Sequence, residues 1–274
     1  MRSLTKALRY KRHIIDPAII LFLELVGFVC LWFVLTADVS NLIAILCFKF
    51  VLGFSVVAGN HRLLSHNSWP CPLWLRNIIS LISVTALQGA PIAWVAVHRE
   101  HHHKSDTEGD PHSPLFKSRW WIQFRSMQYT PNLIYATDMW KDPWQKFLFD
   151  YYWIINASFC ALLLLINPFY VAVWLAATFL TQVAAYSINS VCHDTPWYWF
   201  PTKERGTGDT SRNVWILALF SGGESWHLNH HNQPWKWYFG RKWWQVDSAG
   251  MEIFLIILLT NPSYFFKSHK NSKG

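Results

Sequence analysis

Residues 152–188 read YWIINASFCALLLLINPFYVAVWLAATFLTQVAAYSI. In this stretch two apolar runs, 152–166 and 169–188, are separated only by Asn167 and Pro168. Proline cannot continue a helix, but it suits the first turn of the next one. Helices of about 20 apolar residues are long enough to cross a bilayer core. The stretch therefore predicts a tight hairpin of two membrane-spanning helices.

Two further apolar runs precede this hairpin, at about 18–36 and 42–59, and each contains one charged residue, Glu24 and Lys49 respectively. The composition agrees with a membrane protein, because 52% of the 274 residues are hydrophobic and only 15% are charged. Soluble domains carry charges on about a quarter of their residues. We therefore predict an all-α integral membrane protein, with four transmembrane helices and one domain over residues 1–274.

The basic residues predict the orientation of these spans. Five Lys and Arg precede the first span, whereas the predicted loops 37–41 and 167–168 have none. Residues 61–151 and 191–274 carry nine each. By the positive-inside rule, both termini and both large polar segments are cytoplasmic, where 61–151 and 191–274 form a helical cap. The 24 Lys and Arg, with a net charge of +8, form no long run, which favours an anionic membrane face or an acidic partner protein over nucleic acid.

Thirteen histidines are present, and nine of them fall into four clusters. Two clusters have i, i+3, i+4 spacing, which places three rings on one face of a helix. The pair at 61 and 66, five residues apart, does not share a face on a regular helix, so we expect the helix to end or bend between them. His13, His103, His112 and His269 are left out of these clusters and are interpreted as surface or core histidines. The nine clustered residues are His61, His66, His98, His101, His102, His193, His227, His230 and His231.

Nine imidazoles exceed the needs of one metal site and suit two transition metals with open positions. Neutral imidazole binds iron, copper, nickel and zinc, so the ligand type alone leaves the metal open. The protease motif H-E-x-x-H is absent, because Glu100 follows Arg99 rather than His98. A membrane metal transporter is a remote alternative, since transport sites lie near the membrane midplane. The clusters here lie at or beyond the predicted cytoplasmic ends of the spans.

The motifs resemble those of the membrane fatty acyl desaturases of the delta-9, or stearoyl, type. The resemblance rests on three histidine boxes, HRLLSH (61–66), HREHH (98–102) and HLNHH (227–231), and on NSVCH (189–193). It extends to the flanking runs DPHSP (110–114), GDTSRN (208–213), GESWH (223–227) and RKWWQVD (241–247), in the same order along nearly the whole chain.

This resemblance implies a di-iron centre held by the nine clustered histidines, with Asn189 holding a metal-bound water. It also implies O2 as co-substrate and a cis double bond introduced into a saturated acyl chain, in the delta-9 position. Hydroxylation or acetylenic bond formation uses the same metal chemistry and stays open as an alternative.

Carboxylates near the histidine boxes are candidates to orient the imidazoles. Asp106, Asp110, Asp194 and Glu224 are favoured, and Glu108 and Asp209 are also close in sequence. The many tryptophans suit the wall of an apolar substrate tunnel, with interfacial anchoring as the alternative. The tunnel candidates are Trp94, Trp120, Trp121 and Trp226.

The chain departs from the family pattern at several positions. Ala96 and Val97 stand where the acyl-CoA enzymes of animals have an Arg-Asp pair, which makes a lipid-linked or carrier-protein-linked chain more credible than a CoA-linked one. Leu228 stands where Asn is usual. Since no haem-binding domain is recognised in the sequence, we expect a separate electron-transfer protein of the ferredoxin or cytochrome b5 type, besides the acyl substrate and membrane lipid.

Overall fold

The computed structural model describes residues 17–125, 130–193 and 209–267. Within these ranges the regular elements are helices, with two isolated backbone bridges and no strand. The predicted all-helical class is therefore confirmed for the described part of the chain. The bridges join His193 to Ser211 and Asn213 to Trp226, so they connect segments that carry the histidine boxes.

The first half of the described chain contains four longer helices. They are α1 (Pro17–Ala37), α2 (Leu42–Phe54), α3 (Leu73–Val84) and α4 (Pro91–Lys104). Asp38 caps the short turn Val39–Asn41 between α1 and α2, where its carboxylate accepts from the Ser40 amide at 2.8 Å. Such a cap satisfies a backbone donor that the helix itself leaves free.

Short helices then lead to the predicted hairpin. They are α5 (Arg119–Arg125), α6 (Thr137–Trp140) and α7 (Pro143–Asp150). The hairpin itself is α8 (Tyr152–Ile166) and α9 (Phe169–Val191). Its turn lies where the sequence predicts it, with the Asn167 side chain accepting from the Phe169 amide at 2.9 Å. Within residues 209–267 there are four helices, α10 (Trp215–Ser221), α11 (His227–Asn232), α12 (Ser248–Thr260) and α13 (Ser263–Lys267).

Two continuous helices in the described ranges, Val39–Ser65 and Phe169–Val191, are long and apolar enough to cross a membrane. A third span is possible if α7 and α8, which meet at a 71° bend, act as one. The apolar helical stretch Leu21–Ala37 is shorter. Large apolar side chains on α1, α2 and α8 face outward, as lipid contact requires; Trp32, Phe50 and Leu165 are 70%, 61% and 85% exposed. Two to three spans are therefore supported, and the count of four remains a prediction.

The first histidine box lies in an unusual helical segment. After Phe54, α2 continues without interruption as a π-helix, Ser55–Ser65, in which the hydrogen bonds reach from residue i to i+5. The amide of His66 accordingly donates to the carbonyl of His61 at 3.3 Å. The segment ends at Ser65, with His66 as its C-cap residue, so the expectation that the helix ends between His61 and His66 is confirmed. The widening of the helix was not expected.

Helix α1 packs closely against α9 at a glycine. A Cβ atom built on Gly27 would lie 2.8 Å from the carbonyl oxygen of Leu175 and 2.8 Å from the Cβ of Phe179. Small residues allow helices in membranes to approach at such distances. Gly53 on α2 offers a contrast, because a Cβ there would meet no atom of the described residues within 4 Å.

We predict that Gly27→Ala separates α1 from α9 and destabilises the protein by about 1–3 kcal/mol, as overpacking does elsewhere. Gly53→Ala is the matched control and should be neutral or slightly stabilising, since alanine favours a helix. The melting temperatures of the detergent-solubilised variants distinguish the two. Equal melting temperatures would contradict the close α1–α9 contact.

Candidate metal centre

Nine histidine side chains converge on two adjacent clusters in the described structure. In each cluster the candidate ligand atoms lie within 4.8 Å of one another. The first cluster consists of His61, His66, His98, His102 and His230, and the second of His101, His193, His227 and His231.

Each of the two histidine triads contributes to both clusters. On α4, His98 and His102 belong to the first cluster and His101 to the second, while on α11 His230 belongs to the first and the flanking pair to the second. Residues i and i+4 are about 40° apart around a helix, whereas i+3 lies on the other side of i. The spacing alone suggested that the three rings of each triad converge on one site. In the structure each triad instead contributes histidines to two neighbouring clusters.

The remaining histidines come from helix ends. His61 and His66 lie in and at the end of the π-helical segment, which brings both rings into the first cluster. His193 follows the end of α9 and joins the second cluster.

The spacing of the Nε2 atoms fits metal ligation. The Nε2 atom of His230 lies 3.0 Å from that of His61 and 2.9 Å from that of His102. In the second cluster the Nε2 atom of His227 lies 2.9 Å from that of His193 and 3.1 Å from that of His231. Two nitrogen ligands about 2.1 Å from a common metal, at a right angle, would be about 3 Å apart.

A buried nitrogen atom without a partner supports the same interpretation. The Nε2 atom of His101 is buried and has no hydrogen-bond partner among the described residues, while its Nδ1 atom is paired. An unpaired buried polar atom is costly, and ligation of a metal ion is one way to satisfy it. The donor set therefore fits two transition-metal ions.

Four carboxylates hold histidine rings by the nitrogen that points away from the clusters. Asp110 lies 3.0 Å from Nδ1 of His101, and Asp106 lies 2.9 Å from Nδ1 of His193. An ionised carboxylate only accepts, so each Nδ1 donates and Nε2 is left free for a metal.

The other two carboxylates contact one histidine in each cluster. Asp209 lies 2.7 Å from Nδ1 of His231, and Glu224 contacts Nδ1 of His61. Asp209 was close in sequence but not among the four favoured carboxylates. Asp194, which was, lies outside the described residues.

The protonation states suit this arrangement. Burial would raise the pKa of Asp106, but hydrogen bonds from His193 and Ser113 outweigh it and hold that pKa below its usual range. Burial lowers the pKa of His66 to about 2, and the neighbouring imidazoles add to this. Burial also lowers the pKa of His231 to about 4, although its bond to Asp209 opposes the shift. Near neutral pH these imidazoles are uncharged, as metal ligands must be.

A second set of contacts centres on Arg62, which the sequence reasoning did not single out. Its side chain is completely buried and donates to Glu224 at 2.8 and 3.0 Å and to Asp247 at 2.8 Å. Its guanidinium also lies 3.9 Å from the ring centroid of Phe239. Glu224 therefore bridges Arg62 and His61, joining the first histidine box to the loop before the third.

His112 was interpreted as a surface or core histidine, and it is buried beside the second cluster. Its ring centroid lies 4.3 Å from that of His101, and its Nε2 atom has no partner among the described residues. Its position within the DPHSP run, two residues after Asp110, is the sequence signal that could have identified it. His103 is exposed, and His13 and His269 lie outside the described residues.

An apolar cavity of about 390 Å³ adjoins both clusters. Its wall includes His61 and His98 of the first cluster, His227 of the second, and Asn189. The rest is mostly apolar and comes chiefly from α2, α4, α9 and α10, including Phe50, Val97, Ala184, Ala185 and Leu219.

One of the four predicted tunnel tryptophans lines this cavity. Trp94 does so, stacked on His98 with ring centroids 5.1 Å apart. Trp226 is buried behind the third box and donates to the carbonyl of Val246. Trp120 is 76% exposed, and Trp121 packs beneath the ammonium of Lys117. Those three do not belong to the cavity wall.

Comparison with known proteins agrees with this geometry. The family model for fatty acid desaturases matches residues 40–265. The chain is 32% identical over 225 residues to an sn-1 stearoyl-lipid 9-desaturase of Anabaena variabilis, covering 79% of this chain and 80% of the relative. It is 35% identical over 222 residues to an acyl-CoA C20 Delta5-desaturase of Anemone leveillei, covering 74% of this chain and 66% of the relative. It is 33% identical over 213 residues to an sn-2 palmitoyl-lipid 9-desaturase of Nostoc sp., covering 73% of this chain and 72% of the relative.

These matches do not support the metal-transporter alternative, because all three relatives are named as desaturases. Their names differ in the acyl substrate and in the position of the double bond. The matched residues include all nine histidines of the two clusters. With its histidine clusters at an apolar cavity and its match to the family model over most of its length, the chain belongs to the fatty acid desaturase family and is an oxidoreductase of that family.

Proposed function

We propose that this protein is an O2-dependent acyl desaturase that introduces a cis double bond at the delta-9 position of a saturated chain. The observation that carries the proposal is the apolar cavity whose wall includes histidines of both clusters, His61, His98 and His227. An acyl chain bound there would lie directly beside both candidate metal positions. Two of the relatives act at position 9 of a lipid-linked chain by their names.

The proposed cofactor is a pair of iron ions, one in each cluster. Both donor sets consist of imidazoles. Asn189, which lines the cavity, is proposed to hold a metal-bound water. Structural zinc is usually closed by four ligands rich in cysteine, which this set is not. Two irons bound here would supply the activation of O2 that removes hydrogen from the chain.

The protein's own residues have three tasks in this proposal. The carboxylates Asp106, Asp110, Asp209 and Glu224 fix the rings and tautomers of four histidines. The apolar wall excludes water and restricts a flexible chain to one geometry, which lowers the entropic cost of the reaction. Trp94, held by stacking on His98 and by a 3.3 Å bond to Gln88, gives the wall a rigid surface next to the first cluster.

The proposed substrate is a lipid-linked acyl chain in the membrane, with CoA-linked or carrier-protein-linked chains as the alternatives. Val97, which stands where the acyl-CoA enzymes of animals have a charged residue, lines the cavity with an apolar side chain. A membrane position with the clusters on the cytoplasmic side, four spans, and a separate donor of the ferredoxin or cytochrome b5 type complete the proposal.

Expression in a host that lacks its own desaturase tests this function. We expect a new cis double bond at position 9, found mainly in a membrane-lipid fraction, by mass spectrometry of lipid classes and of derivatised fatty acids. A hydroxylated or acetylenic chain without a simple double bond would indicate hydroxylation or acetylenic bond formation instead. The absence of any modified chain would contradict the proposal.

Replacing one ligand in either cluster is predicted to abolish the product. His230→Ala removes a ligand of the first cluster and His101→Ala a ligand of the second, and both lie outside the membrane-spanning helices, so insertion should persist. Iron analysis of the purified proteins should give about two ions per chain in the wild type and fewer in each variant. Wild-type product levels in either variant would refute the ligand assignment.

Asp209→Asn is predicted to weaken the second site without removing a ligand. Loss of a carboxylate that orients a ligating histidine typically costs about 10–100-fold in metal affinity or activity. Glu108→Gln is the control for loss of a carboxylate, because Glu108 also lies close in sequence to a histidine box but is exposed. Chelator competition with the iron-loaded proteins measures the difference. Identical chelator resistance in the two variants would show that Asp209 has no such role.

A further inference from the structure

A basic and aromatic loop follows α11. We call residues 240–246 the Trp loop, and its exposed side chains are those of Arg241, Lys242, Trp243, Trp244 and Val246. Trp243 is 96% exposed, and the loop contains two cations and no carboxylate. Large exposed aromatic side chains next to cations are typical of surfaces that bind a partner.

The shape of this loop is determined by the helix that carries the third histidine box. The buried Gln245 side chain accepts from the amides of Arg241 at 2.7 Å and Lys242 at 3.0 Å. It also accepts from the side chain of Asn229 at 3.1 Å, and Asn229 lies in the third box, between His227 and His230. The Trp loop is thus hydrogen-bonded directly to α11.

An aromatic path connects the loop to the second cluster. The ring of Trp244 packs edge-on against that of Trp226, with centroids 5.4 Å apart. Trp226 is only 2% exposed and is bonded through one peptide to His227. Two side chains and one peptide therefore lead from the surface to the second cluster.

The proposed reaction needs electrons from outside. Converting one CH2–CH2 unit to CH=CH with O2 removes two hydrogens with their two electrons, and reduction of O2 to two waters takes four electrons and four protons. Two more electrons and two protons must therefore be supplied in each turnover. The histidines of the second cluster are buried, so these electrons have to cross the protein from a docked carrier.

We propose that the Trp loop is the docking surface for an acidic one-electron carrier protein, and that Trp244 and Trp226 form the electron route to the second cluster. This inference rests on the proposed function. An acidic carrier complements the two cations of the loop. Two carrier molecules that each donate one electron supply the two electrons needed in each turnover. A bilayer surface would also accept tryptophan and lysine, but it gives no reason for the contacts that tie the loop to α11.

The test uses the full-length, iron-loaded protein in nanodiscs of neutral lipid. Electrons come from a reduced acidic [2Fe–2S] ferredoxin or the soluble haem domain of cytochrome b5, whichever gives the higher wild-type rate. Lys242→Glu should raise the half-saturating carrier concentration roughly tenfold at low salt, and the effect should shrink at high salt. Trp244→Leu should lower the rate at saturating carrier and leave the half-saturating concentration unchanged. Lys141→Glu, at an exposed lysine elsewhere, is the charge control.

Reduced methyl viologen, a small electron donor, is the second arm of the experiment. With it, Lys242→Glu should form product at the wild-type rate, which shows that the metal centre and the cavity are intact. The docking proposal is overturned if Lys242→Glu behaves like Lys141→Glu, or if Lys242→Glu loses equal activity with the carrier protein and with methyl viologen. It is also overturned if the defect of Lys242→Glu occurs only in anionic lipid, or if neither carrier protein supports product formation by the wild type. Absence of wild-type product with every donor would instead refute the proposed function.

Discussion

The buried guanidinium of Arg62 is the interaction on which the arrangement of the histidines depends. It is fully enclosed and is neutralised by Glu224 and Asp247, at 2.8 Å each. A buried charge that loses one partner destabilises a protein by about 3–5 kcal/mol, so these three groups must assemble together. Glu224 also holds His61, and Asp247 accepts from the Gly250 amide at the start of α12. One cation thus links the first box, the loop before the third box, and the helix that follows it.

The π-helical segment makes this link possible. A regular helix would turn residues five apart to different faces, whereas the wider helix directs His61 and His66 into one cluster while Arg62 points toward the tail of the chain. Arg99 stabilises the end of the segment, because its guanidinium donates to the carbonyls of Leu64 and Ser65 at 2.9 Å each. Those carbonyls have no partner within the helix that ends there. The second box therefore both contributes histidines to the two clusters and completes the helix of the first box.

Spacing rules predicted the hairpin at Asn167 and Pro168 and the nine histidines that the structure brings together, since both depend on short-range periodicity. They could not predict the wider helix, because nothing in HRLLSH distinguishes it from a regular helix before the tertiary contacts of Arg62 form. Asp209 pairs with His231 across 22 residues of chain, and proximity in sequence ranks it no higher than Glu108. The role of Trp226 was likewise misjudged, because composition cannot distinguish a cavity wall from a buried residue behind a ligand.

The two clusters differ in how firmly their rings are held. In the second cluster three of four histidines donate to a carboxylate, whereas in the first cluster only His61 does among the described contacts. A carboxylate makes an imidazole a stronger ligand and fixes its orientation. The rings of the second cluster are therefore the more firmly oriented, while more rings of the first cluster are restrained mainly by stacking, such as His98 on Trp94. Because both clusters border the same cavity, an acyl chain bound there would meet two sets of histidine rings that are restrained in different ways.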